Sequence, residues 1–347
     1  LVCVILMKII KKEILKILKF KWFRIALFAG IFLFTFIIRA HNYERVPTSN
    51  HMDEQLYAWS GINMIEVGVP ISWSTLDYPK SAIVYLGRMS YKGGPPEASV
   101  TLYKPWLDEP PLFSYIVGYF AHINGADRNG FIPSSYIRIP TVIFAFFVSV
   151  FVFLIAYDLG GYYMGLLAML IYGTTPIFVF GSRTAMPENL IALCFIFIYW
   201  LLIKYRDNPK FKILIPIPII VGIAGLSKPT GYFLILFAVL VTILLSLKKI
   251  PTGKIFKRVV YLIIGIIPFI TWYFWYSYNL SPEIFKTIFS IQAGRPVGFS
   301  SFAWFLISPA VDTVIFKDGW YLFSLLAAIY LILKKNKDTK LNILSIA

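Results

Sequence analysis

The chain has 347 residues, of which 58% are hydrophobic, 18% aromatic and only 14% charged, and its mean hydropathy is +0.72. An average soluble protein is roughly 45–50% apolar and about 25% charged. A soluble enzyme, a coiled coil and a disordered chain are therefore excluded, and the lipid bilayer must be the main solvent. The 33 Lys and Arg against 17 Asp and Glu give a formal charge of +16, but they cluster in short groups beside apolar runs. That is the pattern of cytoplasmic membrane loops, not of a nucleic-acid surface, so no nucleic-acid partner is expected.

In chain order, Met7 followed by Lys8, Lys11 and Lys12 reads as a start. Residues 8–21 set Ile9, Ile10, Ile14, Leu15, Ile17 and Leu18 against lysines. Residues 1–24 are expected to be a basic amphipathic segment lying on the cytoplasmic leaflet. The next apolar run, 23–38, lacks a small-residue cleavage site, so it should stay as a membrane helix leading outward. From residue 25 to 347 a single membrane domain is expected. Its first extracytoplasmic region, 40–137, holds a long polar stretch rich in Tyr, Trp, Pro and Gly. From residue 40 to 111 there are five Lys/Arg against eight Asp/Glu, which suits the outer side.

Further apolar runs fall at about 111–124, 138–156, 163–181, 188–203, 213–227, 231–247, 259–278, 301–316 and 319–333. Basic clusters at 204–212, 248–258 and 334–340 mark the inside. Counting spans between them places Asp158 inside, with Arg138 and Glu188 outside. It also requires that 111–124 and 301–316 do not cross. The first of these is short for a span; the second contains Asp312 and Pro309. The expectation is an all-α polytopic membrane protein, a bundle of about eight spans with ten as the alternative. Its long first loop should carry short interfacial helices. Residues 341–347 read as a new apolar segment cut short. Neither a 20–50-residue repeat nor inverted symmetry is visible.

On this topology the unusual polar residues fall on one side: Asp53, Glu54, Asp108, Glu109, Arg138, Arg183, Glu188, Lys228 and Arg295 all lie outside, at or near helix ends. One-sided clustering is what an extracytoplasmic site gives. Each motif alone has a plainer reading: a solvated acid pair at 53–54, an interfacial anchor at 104–112, a snorkelling arginine at 138, a local ion pair at 183–188. Cys3 and Cys194 offer neither a disulfide framework nor a zinc motif. His41, His51 and His122 lack metal-ligand spacing. Gly93-Gly94-Pro95-Pro96 is a turn and not a phosphate loop.

The order of these motifs is specific as a set. One span is followed by Asp53-Glu54 with Tyr57, then Pro110-Pro111-Leu112, then Arg138 and Pro140 opening a long span. Leu159-Gly160-Gly161, Thr175-Pro176, Ser182-Arg183, Glu188 and Lys228 follow. This resembles the membrane glycosyltransferases of the GT-C class over about residues 25–235. The nearest branch is similar to the dolichyl-phosphate-mannose–protein mannosyltransferases and the bacterial lipid A aminoarabinose transferases. The resemblance implies an enzyme that moves a sugar from a polyprenyl-phosphate donor to a protein or lipid acceptor outside the cell membrane, most simply with inversion. It implies Asp53 as the catalytic acid with Glu54 as companion, and Tyr57, Asp108, Glu109, Arg138, Arg183, Glu188 and Lys228 at the substrates. Two positions depart from the family pattern: Glu188 is usually Asp, and Glu109 is usually His or Lys. No cofactor is specified, though a divalent cation at Asp53 and Asp108 is compatible with the acids. Arg138, Arg183, Lys228 and Arg295 are the cations available for a phosphate. A transporter or flippase of lipid-linked sugars and a non-catalytic membrane protein are the alternatives. The former should bury charge midway along its spans, and these middles are nearly free of it.

Overall fold

A computed structural model describes residues 21–47, 52–89, 98–247 and 249–294. Most of the basic segment 1–24, Arg295, the Gly93–Pro96 turn and the runs at 301–316 and 319–333 lie outside the described residues.

The first helix, α1 (Lys21–Ala40), is 20 residues of nearly unbroken apolar sequence, about 30 Å at 1.5 Å per residue and enough for a bilayer core. The first loop then folds α2 (Met52–Val67), strands β1 (Ser72–Trp73), β2 (Ile83–Met89) and β3 (Ala98–Tyr103), helix α3 (Pro111–Ile123) and the single turn α4 (Ser134–Ile137). The remaining helices are α5 (Ile139–Gly160), α6 (Tyr162–Thr174), α7 (Pro176–Gly181), α8 (Glu188–Asp207), α9 (Ile217–Ser227), α10 (Leu234–Ser246), α11 (Thr252–Gly265), α12 (Ile267–Leu280) and α13 (Pro282–Ala293). Among the described residues, five stretches are long and apolar enough to cross a membrane: Lys21–Ala40, Ser134–Gly160, Glu188–Asp207, Pro229–Ser246 and Thr252–Leu280. Shorter apolar helices run over Tyr162–Thr174 and Phe211–Ser227.

Polar contacts sort the helix ends into two groups. At one end, Arg39 of α1 donates to the carbonyls of Tyr172 (2.7 Å) and Gly173 (3.3 Å) at the end of α6. Arg183, just past α7, returns the arrangement, donating to the carbonyls of Ile38 (2.5 Å), Arg39 (3.1 Å) and His41 (2.9 Å). Each guanidinium thus satisfies last-turn carbonyls that a helix leaves open. At the opposite end Asp158 of α5 meets Lys204 of α8 at 2.6 Å. There Tyr205 bonds Ser246 at 2.7 Å and Lys249 bonds the Arg206 carbonyl at 2.8 Å. The turn from α5 to α6 at this end uses Gly161 at φ +85°, which a residue with a Cβ adopts only with strain. Successive helices therefore alternate in direction, and Arg138, Arg183, Glu188 and Lys228 share one end while Asp158, Lys204 and Lys249 share the other.

Helix α3 has 13 residues, about 20 Å, too short for the roughly 30 Å hydrocarbon core. It lies along α2, and the two meet backbone to backbone. A Cβ built on Gly61 would come within 1.8 Å of the Ser114 carbonyl, and one on Gly118 within 2.1 Å of the Gly61 carbonyl carbon. The first loop holds one feature that the helical expectation did not include, an antiparallel sheet in the order β1-β3-β2. Ser72 and Ile83 both face Tyr103, and β2 carries an irregularity between Ile83 and Tyr85. The sequence did hold a signal for it in the β-branched and aromatic residues of the two strands, Ile83, Val84 and Tyr85 in one and Val100, Thr101 and Tyr103 in the other. The bundle remains predominantly helical.

Candidate active site

Two routes bring acids to the shared end. Asp53 and Glu54 occupy the first turn of α2, where carboxylates face the positive end of the helix. Asp108 and Glu109 precede Pro110-Pro111, which start α3; proline suits this position because its missing N–H is one that a helix start leaves unused. Asp108 is held by the small sheet and its connector: its Oδ2 accepts from the Ser74 hydroxyl at 2.5 Å and its Oδ1 from the Tyr78 hydroxyl at 2.7 Å. Tyr78 is itself fixed, accepting from the Leu107 amide at 2.7 Å and stacking on Tyr103. Burial first, then the Asp108 charge, pushes the Tyr78 phenol above its ordinary pKa, so it stays a donor.

Lys228 sits at the end of α9, and its Nζ meets the Glu188 carboxylate at 2.5 Å. Partial burial works against its charge. The hydrogen bond and charge of Glu188, with Glu109 and Asp53 behind it, outweigh that and raise the ammonium above its ordinary pKa. Asp53, Asp108, Glu109 and Glu188 all act electrostatically on the hydroxyl of Tyr57, whose ring is buried edge-on to Trp106 and Phe113. These six residues, all expected from the sequence, are thus brought into one neighbourhood.

Next to them lies a cavity of about 360 Å³. Asp108, Glu109, Lys228 and Gln292 form its polar side; Ile270, Tyr273, Phe274, Phe285, Ile288 and Phe289, from α12 and α13, form an apolar wall. The sequence analysis named Asp108, Glu109 and Lys228 but missed Gln292 and this wall. Its residues sit in the stretch after 236, where continuous hydrophobicity makes a wall of a site look like any lipid-facing helix. Ser74, Tyr78 and Arg39 were also missed; none stands in a motif.

The geometry places three expected site residues in internal contacts. Glu54 and Arg138 are both fully buried, and they form a bidentate pair: Nε to Oε1 at 2.8 Å and Nη2 to Oε2 at 2.7 Å. The same Oε1 accepts from the Ala185 amide at 2.7 Å, and Nη1 of Arg138 donates to the carbonyls of Tyr43 and Pro47. Glu54 is thus engaged by Arg138 and the Ala185 amide, and neither Glu54 nor Arg138 is among the residues lining the cavity. The guanidinium donors of a buried arginine must all be satisfied, and here carboxylate and carbonyls do so. Arg183 likewise spends its donors on the end of α1. Among the described residues no group of three or more His, Cys, Asp or Glu is assembled to hold a metal ion.

The family model of dolichyl-phosphate-mannose-protein mannosyltransferases matches residues 108–275, just under half of the chain. A search of the curated proteins finds no match. Among solved structures the chain is similar to the S. cerevisiae protein O-mannosyltransferase Pmt1-Pmt2 complex bound to the sugar donor, with a TM-score of 0.50 and 15% identity. That match covers 75% of this chain and 34% of the other, so the chain spans about a third of its relative's length. At this identity the likeness is one of fold, and the fold is the GT-C helical bundle that the motif order implied.

Proposed function

We propose that this protein transfers a sugar from a polyprenyl-phosphate carrier to a protein or lipid acceptor on the extracytoplasmic side of the membrane. The observation that carries the reading is the two-faced cavity: a lysine and carboxylates at one side, an aromatic and aliphatic wall at the other. A ligand that fits both is an amphiphile with a small anionic head. A volume of about 360 Å³ is at the small end of the roughly 300–1,000 Å³ range of ligand pockets, suited to one glycosyl phosphate head. The mannosyltransferase family model supports the same chemistry, and the yeast complex of similar fold is one bound to a sugar donor.

In the proposed reaction Lys228 holds the phosphate of the donor, exchanging Glu188 for it. The apolar wall holds the first units of the polyprenyl chain. The acceptor hydroxyl oxygen attacks the anomeric carbon, the bond from that carbon to the phosphate oxygen breaks, and its electron pair leaves with the polyprenyl phosphate. The hydroxyl proton passes to Asp53, the general base. A single displacement inverts the anomeric centre. Asp108, anchored by Ser74 and Tyr78, orients the acceptor or the sugar, and the buried Glu54–Arg138 pair keeps the start of α2, and with it Asp53, in place.

The test is Asp53→Asn, which keeps size and hydrogen bonding but removes the negative charge. A general base contributes about 10²–10⁴-fold. Single-turnover transfer from dolichyl-phosphate mannose in membranes should fall by that order while donor binding to the same preparation persists. Unchanged turnover overturns the assignment of Asp53. Absence of transfer by the wild-type chain from any polyprenyl-phosphate sugar overturns the function.

A further inference from the structure

Between α9 and α10 the chain makes a short 3-10 turn over Pro229–Phe233, closed by the Gly231 amide donating to the Lys228 carbonyl at 2.8 Å. Lys228, Pro229, Thr230 and Tyr232 all line the cavity. No sequence motif singles out Tyr232. Its ring rests against the backbone of Gly225, where a Cβ would come within 2.2 to 2.4 Å of three ring carbons. The missing side chain at Gly225 gives the ring its place, and that place is set before any ligand arrives. The hydroxyl oxygen of Tyr232 is buried and has no hydrogen-bond partner among the described residues. A buried hydroxyl is normally paired, and leaving one unpaired costs stability. An exception on a residue that lines a cavity marks a bond that a ligand completes.

We propose that the Tyr232 hydroxyl donates a hydrogen bond to a phosphate oxygen of the polyprenyl carrier, so that Lys228 and Tyr232 together form the phosphate seat. The inference rests on the glycosyl-transfer reading above and deepens it. The chemistry of the turn selects an anion. A phosphate oxygen needs donors and is bound best where a charge assists them. Lys228 supplies the charge, and the phenol, protonated at neutral pH, supplies a donor with no further charge. The charges of Asp53, Asp108, Glu109 and Glu188 bear on the hydroxyl of Tyr57 and not on that of Tyr232, so an anion is tolerated beside Tyr232. A sugar hydroxyl can give its proton to a carboxylate and belongs with those acids; a phosphate cannot, and belongs with the turn. The ring, already placed on Gly225, loses little freedom when the bond forms, which favours affinity.

The experiment compares the purified wild-type chain with Tyr232→Phe, which keeps the ring on Gly225 and removes only the oxygen. The probes are dolichyl phosphate, dolichyl-phosphate mannose and dolichol, which lacks the phosphate. Tyr232→Phe should bind both phosphates roughly 10- to 100-fold more weakly, the size of one hydrogen bond to a charged group, and bind dolichol as the wild type does. Without ligand its melting temperature should equal or exceed that of the wild type, because an unpaired buried hydroxyl has been removed. At one fixed concentration of dolichyl phosphate the rise in melting temperature should be smaller in the variant. A loss on the mannosyl donor alone would make Tyr232 a sugar contact. A loss that extends to dolichol, or a lower melting temperature without ligand, would make the hydroxyl structural. Each of these, or unchanged binding of dolichyl phosphate, overturns the inference while leaving glycosyl transfer, read by the transfer assay, intact. A wild-type chain that binds neither phosphate overturns both.

Discussion

Arg138 and Lys228 show how two cations at the same end of a bundle come to do different work. Arg138 is sealed beneath the site against Glu54, and removing one partner of a buried pair costs about 3–5 kcal/mol because the other charge is left without compensation. Glu54→Gln and Arg138→Met should each lower the thermal stability of the purified protein sharply. The double variant, Glu54→Leu with Arg138→Met, should recover part of the loss, since an apolar pair leaves no buried charge behind. If Arg138→Met instead keeps its stability and loses only donor affinity, the arginine serves the phosphate after all. Lys228 is partly open to the cavity and should behave in the reverse manner. Lys228→Ala should leave the fold intact and weaken binding of dolichyl-phosphate mannose about 10- to 150-fold, as expected from roughly 1.5–3 kcal/mol for a charged hydrogen bond.

Among the elements, the pairing of α2 with α3 sets the relation of the two acid pairs. Asp53-Glu54 opens α2, Asp108-Glu109 precedes α3, and the helices lie together because Gly61 and Gly118 have no side chains to hold them apart. Small residues permit this kind of approach between helices. Gly118→Ala would put a methyl group within 2.1 Å of main-chain atoms of Gly61, and backbone cannot move aside as a flexible side chain can. Overpacking costs typically about 1–3 kcal/mol, and a clash with backbone belongs at or above the upper end. Both Gly118→Ala and Gly61→Ala should lower the melting temperature in detergent and reduce transfer, by moving the acid pairs relative to each other. Gly30→Ala, where a Cβ meets nothing within 4 Å, is the matched control and should do neither.

For the whole molecule, the alternation of helix ends makes a topological prediction. The end bearing Lys204, Arg206 and Lys249 carries the basic loops, and the positive-inside rule assigns it to the cytoplasm. Asn124, at the end of α3, then faces outside, and Asn208, beyond α8, faces inside. In a chain freed of Cys3 and Cys194, a cysteine at position 124 should react with an impermeant reagent added to intact cells. One at position 208 should react only after the membrane is opened. The reverse pattern would invert the bundle and put the site in the cytoplasm.

How much of this the sequence determined follows from what a one-dimensional pattern can encode. Apolar runs of spanning length fixed the helices because a bilayer demands about 20 such residues, and the spacing of basic clusters fixed which helix ends belong together. Both are local properties. The same parity brought Asp53, Asp108, Glu109, Glu188 and Lys228 to one end, and there the structure gathers them. What only the tertiary structure decided is lateral: which of the charges at that end touch one another. Arg138 finds Glu54 across 84 residues, and Arg183 finds the end of α1 across more than 140. No spacing rule distinguishes such an arginine from one that faces a cavity. The apolar wall on α12 and α13 was hidden for a related reason. In a membrane protein a side chain facing lipid and one facing a lipid-like ligand are chosen by the same physics, and only the packing of neighbouring helices tells them apart.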